Sequence, residues 1–84
     1  MVNSLQSNEF PAEYFIKLEG QDFLLGRLSV NKMNSSFWVE IDIVTKESKK
    51  IYAHVGNLYN LTDIDEALTN SVQMLSNFVS KKAF

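Results

Sequence analysis

Apolar and polar residues alternate in four short segments of this chain, and a fifth segment has the periodicity of a helix. The alternating segments cover residues 14–19, 23–30, 37–44 and 51–55. Because side chains of a strand point alternately to its two faces, the pattern predicts four half-buried strands. Turn-forming residues at 20–22, 31–35 and 46–49 separate them, so we expect hairpins between consecutive strands. We expect the last strand to end at Gly56 and residues 57–61 to form a connector.

Residues 63–82 carry the helical pattern. At about 100° per residue, apolar side chains take one half of the helix circumference and polar side chains the other. Asp63 and Glu66 have capping-box spacing, and Lys81 with Lys82 suits the negative end of the helix dipole. The apolar half, interrupted only by Ser71, comprises Ile64, Ala67, Leu68, Val72, Met74, Leu75, Phe78 and Val79. Such a stripe must be buried against a sheet or a partner.

The order of the elements predicts an α+β fold, a four-stranded antiparallel β-meander with one C-terminal amphipathic helix packed on one face (β-β-β-β-α). We interpret the polar residues 1–9 as a flexible N-terminal tail and residues 10–84 as a single domain. Gly26 interrupts the second strand and predicts a bulge or a close backbone approach. The side chains expected to face the helix are Tyr14, Ile16, Leu18, Leu24, Leu28, Val30, Phe37, Val39, Ile41, Ile43, Ile51, Ala53 and Val55.

Composition narrows the classes of function. The absence of cysteine excludes disulfides, thiolate-bound metals and thiol nucleophiles, and it fits a cytoplasmic protein. Eight basic and ten acidic residues in mixed order indicate neither a phosphate-binding patch nor a strongly acidic surface. There is no secretory signal pattern, and no stretch approaches the roughly 18 apolar residues of a membrane span, so we expect no membrane insertion.

The sheet face opposite the helix holds the candidate functional residues. It is expected to carry Phe15, Lys17, Leu25, Arg27, Trp38, Glu40, Asp42, Tyr52 and His54. Aromatic residues and arginine concentrate at the centre of protein interfaces, so a face rich in both favours a docking surface. The interface candidates are Phe15, Arg27, Trp38, Tyr52 and His54. The alternatives are that the aromatic side chains stabilise the sheet as cross-strand pairs, or that the N-terminal tail covers them.

Other chemistry has weaker support in the sequence. His54, Asp42 and Ser29 on one face have the residue types of a nucleophilic triad, but no nucleophile turn or glycine-rich oxyanion loop accompanies them. A single histidine without paired ligand spacing indicates no zinc site, and there is no acidic calcium-binding loop. The sequence therefore predicts a protein that is not an enzyme and has no cofactor or metal.

Two resemblances suggest partners. The β-β-β-β-α order resembles that of single-strand-binding coactivators that dimerise through their helices, which implies single-stranded nucleic-acid binding. Residues 10–16 (FPAEYFI) and 65–70 (DEALTN) are similar to segments of HicB-type antitoxins, which implies a toxin-neutralising or RNA-mimicking role. Our leading expectation is a small protein-interaction module that forms a homodimer or docks another protein, of which a phage-type inhibitor is one variant. Single-stranded nucleic-acid binding is the alternative.

Overall fold

Four antiparallel strands form one open sheet, and a C-terminal helix packs on it, in a computed structural model that describes residues 10–81. The sheet order follows the chain, β1-β2-β3-β4, which confirms the predicted α+β meander. The predicted tail, residues 1–9, lies outside the described residues. The elements are β1 Ala12–Lys17, β2 Leu24–Met33, β3 Ser36–Thr45, β4 Ile51–Leu61 and α1 Ile64–Lys81.

The connections between strands differ in length from those predicted: residues 18–23 join β1 to β2 and residues 46–50 join β3 to β4, both longer than expected, whereas the turn between β2 and β3 is shorter. β2 continues to Met33, which pairs with Ser36, so the turn predicted over residues 31–35 contains only Asn34 and Ser35. Asn34 has a φ of 57°, and asparagine tolerates this left-handed conformation better than most residues. The turn at residues 46–49 is confirmed, and Lys49 adopts a φ of 60° there.

The prediction that the fourth strand ends at Gly56 is wrong. β4 runs without interruption through residues 57–61, which were expected to form a connector. Its pairing with β3 shifts register at three places, between Phe37 and Val39, between Ile41 and Asp42, and between Ile43 and Val44. At each shift β4 has an extra residue that has no partner on β3. An extra residue interrupts the alternation of side chains between the two faces of the sheet, and this alternation is what identifies a strand in a sequence. The irregular pattern therefore concealed half of the strand.

The same register shifts reverse the side predicted for Ile51. Ile51 pairs with Val44, which shares the open face with Asp42, and Ile51 is 56% exposed. Tyr14 also differs from expectation, since it is 38% exposed although it pairs with the buried Leu28. The helix explains Tyr14, because α1 packs mainly on β4 and β3, less on β2, and hardly reaches β1.

The helix buries one face as predicted. Asp63 precedes the first turn, and its carbonyl accepts a hydrogen bond from the Ala67 amide at 3.0 Å. Ser71, the polar residue within the stripe, is fully buried and donates its hydroxyl hydrogen to the Ala67 carbonyl at 2.6 Å. Val72 is the exception on the apolar side, because it is 41% exposed towards the uncovered β1 edge. The core consists of Leu18, Leu24, Leu28, Val30, Val39, Ile41, Ile43, Ala67 and Leu75.

Gly26 marks a close approach rather than a bulge. Its pairing with Ile16 and Ile43 is regular, and a Cβ atom placed on it would overlap with Leu75 Cδ2. The missing side chain thus lets the helix approach the second strand. Gly56 does the same for Met74, whose Cε would lie 2.5 Å from an added Cβ.

Replacing Gly26 by alanine is expected to lower the free energy of unfolding by about 1–3 kcal/mol, the usual cost of overpacking a core. Leu75 is almost fully buried and has little room to yield. Gly56→Ala is the matched control with a smaller expected loss, because the flexible, partly exposed Met74 can move. Urea denaturation monitored by circular dichroism measures both. A Gly26→Ala variant as stable as the original chain would contradict the close approach of Leu75.

Candidate functional site: the open sheet face

One row of side chains crosses all four strands on the face away from the helix. The register pairs Phe15 with Arg27, Arg27 with Asp42, and Asp42 with His54. Because Gly26 and Gly56 face the helix, the alternation of β2 and β3 directs this row to the open face. Three residues predicted from the sequence as interface candidates therefore lie in one row, around an aspartate.

Asp42 is the centre of an ionic cluster, and its side chain is fully buried. Arg27 Nη2 lies 3.3 Å from Asp42 Oδ2, and His54 Nδ1 lies 2.7 Å from Asp42 Oδ1. The Arg27 side chain is 18% exposed, whereas that of His54 is 49% exposed. A buried carboxylate needs such partners, because removing its charge from water without them is costly. Arg27 and His54 thus make a buried charge tolerable in the middle of the face.

The cluster leaves one accessible acceptor. A carboxylate accepts hydrogen bonds and cannot donate, so His54 Nδ1 carries its hydrogen and Nε2 accepts in the neutral ring. His54 lies on the edge strand β4, where half of its side chain reaches solvent. Arg27 Nε, by contrast, is buried without a hydrogen-bond partner and cannot be reached from outside. Of the three residues in the cluster, His54 is therefore the one that a ligand or partner could contact most readily.

The cluster holds two members of a triad but not the third. Ser29 pairs with Glu40 on the neighbouring row, two strands away from His54. Adjacent strands lie about 4.8 Å apart, so the serine hydroxyl is roughly 10 Å from the imidazole, well beyond hydrogen-bonding reach. Within residues 10–81 no hydrogen bond joins them. Asp42 and His54 are therefore paired, but Ser29 is too far from His54 to act as its nucleophile.

Glu40, Asp42 and His54 could supply three metal ligands, since one ligand atom from each lies within 4.8 Å of the others. The Arg27 guanidinium beside Asp42 opposes this chemistry. It occupies one carboxylate oxygen and places a fixed positive charge next to where a cation would sit. The geometry thus suits an internal ion pair better than a metal centre.

An aromatic pair lies towards the end of the face where β2 and β3 are joined. Trp38 and Tyr59 stack with ring centroids 6.0 Å apart and ring planes 19° apart. Tyr59 is 60% exposed, and the depression beside the pair is lined by Met33, Ser36, Phe37 and Asn60 as well. Sequence reasoning missed Tyr59 because it ended β4 at Gly56. The available signal was Leu58 between Asn57 and Tyr59, which continues the alternation for three residues.

A second apolar patch lies at the opposite end, near residues 46–49. Phe23 is 79% exposed and Tyr52 is 56% exposed, and both line one depression with residues of that turn. Lys49 Nζ lies 5.5 Å from the centre of the Phe15 ring, so a cation covers part of that aromatic side chain. Trp38 and Tyr52, both interface candidates, therefore belong to separate patches on either side of the ionic cluster.

The fold and this face define a class, a small α+β protein with one sheet face left open and two aromatic patches on it. No protein-family model matches the chain, and no curated protein or solved structure is significantly similar to it. No helix within residues 10–81 combines the length and apolar character needed to cross a membrane. The resemblance to HicB-type antitoxins rests on its two short segments alone.

Proposed function

We propose that this chain is a small non-enzymatic protein-interaction module that docks another protein on its open sheet face. The observation that carries the proposal is the pair of exposed aromatic patches on either side of the ionic cluster. Trp38 with Tyr59 forms one patch, and Phe23 with Tyr52 forms the other. Interfaces of folded proteins are enriched in aromatic anchors surrounded by polar groups, which is the composition of this face.

The ionic cluster supports docking for a separate reason. Covering a charged residue with a partner is costly when the charge loses water and gains nothing. Asp42 is already buried and paired with Arg27 and His54, so a partner covering this region removes little water from the carboxylate. His54 Nε2 can take part in one directional hydrogen bond, as an acceptor in the neutral ring. Arg27 therefore neutralises Asp42 within the sheet face, and the aromatic side chains are the residues that would contact a partner.

Charge favours a protein over a nucleic acid as the partner. The row next to the ionic cluster contains Glu13, Ser29, Glu40 and Asn57, so two carboxylates lie beside the face that bases would have to cross. Proteins that stack bases on aromatic side chains also track the phosphates with basic grooves. The Trp38–Tyr59 stack alone does not supply that groove.

The double substitution Trp38→Ala and Tyr59→Ser is expected to weaken partner binding about thirtyfold, the loss typical of an interface anchor. The measurement uses the tagged full chain in lysate of its own host, followed by native mass spectrometry and titration of the protein captured. Gln73→Ala, on the exposed half of α1, is the matched control and is expected to bind normally.

Two outcomes would contradict the proposal. Equal capture by the double variant and the control would exclude this face as the docking surface. Capture of nucleic acid, with binding that falls steeply as salt is added, would assign the face to single-stranded nucleic acid instead. Circular dichroism tests whether the double variant keeps the folded sheet, which is required before a loss of binding can be assigned to the face.

A further inference from the structure

The two edges of the sheet differ in their ability to accept another strand. An edge strand presents unpaired backbone N–H and C=O groups, and bulges are one of the features that prevent pairing there. β4 carries three register shifts and is irregular along its length. β1 pairs with β2 through six consecutive residues without a shift, so its backbone is regular. The edge suited to strand addition is therefore β1.

The side chains of β1 have a pattern that is complementary to itself. Glu13, Phe15 and Lys17 share the open face, with opposite charges placed symmetrically about the phenyl ring. If two copies of β1 pair in antiparallel orientation about Phe15, each Glu13 faces the Lys17 of the second copy, and the two phenyl rings face each other. Within residues 10–81 neither Glu13 nor Lys17 forms an ion pair. Oppositely charged and aromatic cross-strand pairs both stabilise sheets.

We propose that the chain forms a two-fold symmetric homodimer in which β1 pairs antiparallel with β1 of a second copy, giving a continuous eight-stranded sheet. The inference rests on the proposed function in that both assign the chain to protein binding, but it names a different surface and a definite partner. An isologous contact of this kind uses the same residues twice, so one dimer contains two Glu13–Lys17 pairs. The open faces of the two copies become one longer face.

The helix side of the sheet supplies a second argument for this dimer. A groove of about 330 Å³ runs between the end of β1 and α1, and its walls include Ile16, Val72 and Val79. Val72 is 41% exposed there because α1 lies over the other strands. The two-fold axis is perpendicular to the sheet, so both helices lie on the same side and both grooves border the junction. Strand pairing thus brings apolar helix residues of the two copies towards each other.

The size of the contact sets the expected strength. Six residues of paired strand extend about 20 Å, which places the contact at the lower end of specific interfaces. We therefore expect a monomer–dimer equilibrium that depends on protein concentration. Sedimentation equilibrium of the full chain over a wide concentration range measures it directly.

Charge reversal tests the register of the pairing. Glu13→Lys places two lysines opposite each other twice in the dimer, and Lys17→Glu does the same with two glutamates, so each substitution is expected to weaken dimerisation about tenfold. The double variant Glu13→Lys with Lys17→Glu restores both attractive pairs and is expected to dimerise like the original chain. An equimolar mixture of the two single variants is expected to form a heterodimer for the same reason.

Glu66→Lys is the matched control, since it reverses an exposed charge in the first turn of α1, which follows β4 at the opposite edge of the sheet from β1. Single variants that dimerise like the original chain, or a chain that stays monomeric at every concentration, would overturn the inference. So would a double variant no better than the single ones. An original chain that stays monomeric but captures its partner normally would refute this inference alone, whereas an original chain that dimerises but captures no partner would refute the proposed function alone.

Discussion

Leu75→Lys is expected to abolish the folded state. Leu75 is 2% exposed and packs against Gly26, at the contact between helix and sheet, and it belongs to the same core cluster as Leu18. An ammonium group buried at this position would lose its water among apolar core side chains, and the carboxylate of Glu19, on the groove that Leu75 also lines, is exposed. Domains of this kind have about 5–15 kcal/mol of total stability, which a buried unpaired charge can exceed. Circular dichroism and the fluorescence of Trp38, the only tryptophan, report the loss.

Two further variants separate burial from a general effect on the helix. Ser76→Lys adds the same charge one residue later at an exposed position, and it is expected to leave stability almost unchanged. Leu75→Ala removes the side chain without adding a charge and is expected to cost about 2–5 kcal/mol. A folded and stable Leu75→Lys protein would mean that α1 does not cover the sheet as described.

Asp42→Asn is expected to have the second-largest effect, a loss of about 3 kcal/mol in the free energy of unfolding. The substitution keeps the shape of the side chain but leaves the Arg27 guanidinium without its counter-charge. The Arg27 side chain is 18% exposed, so water can partly solvate the unpaired guanidinium. The expected loss in the free energy of unfolding is therefore at the lower end of the range for breaking a buried ion pair. Urea denaturation at neutral pH provides the measurement.

The two partners of Asp42 supply the controls. His54→Gln is expected to cost less than about 1 kcal/mol, because the imidazole is half exposed and its loss leaves Arg27 on the carboxylate. The double substitution Arg27→Met with Asp42→Leu is expected to recover most of the stability, since apolar groups can replace a buried ion pair. If Asp42→Asn were as stable as the original chain, the ionic cluster would contribute nothing to the fold.

Several features of the candidate site were predictable because they depend on local pattern. The alternation in residues 37–44 places Trp38, Glu40 and Asp42 on one face, and the structure keeps them there. The glycine at position 26 was expected to mark either a bulge or a close approach, and the regular pairing together with the nearby Leu75 side chain selects the close approach. The helical period also predicted which side of α1 faces solvent, since every residue of its polar half is exposed in the structure.

Other features were not predictable from the pattern. Bulges in β4 moved Ile51 to the open face and extended the strand to Tyr59, because an inserted residue changes the side on which all later residues lie. Arg27 was expected to be an exposed anchor candidate, but the register places it beside Asp42 and buries most of it. A sequence shows which residues lie on a face but not which of them meet across strands.

The α+β class, the four strands, the amphipathic helix and the face that carries the aromatic residues all follow from the pattern of apolar and polar positions. These properties depend on the periods of two and about 3.6 residues, which a linear chain displays directly. The three-dimensional fold was needed to establish the register of β4, the ionic cluster of Arg27, Asp42 and His54, the Trp38–Tyr59 stack and the regular β1 edge. These depend on pairing between distant residues, where energies of packing and burial select one register among several that the pattern alone allows.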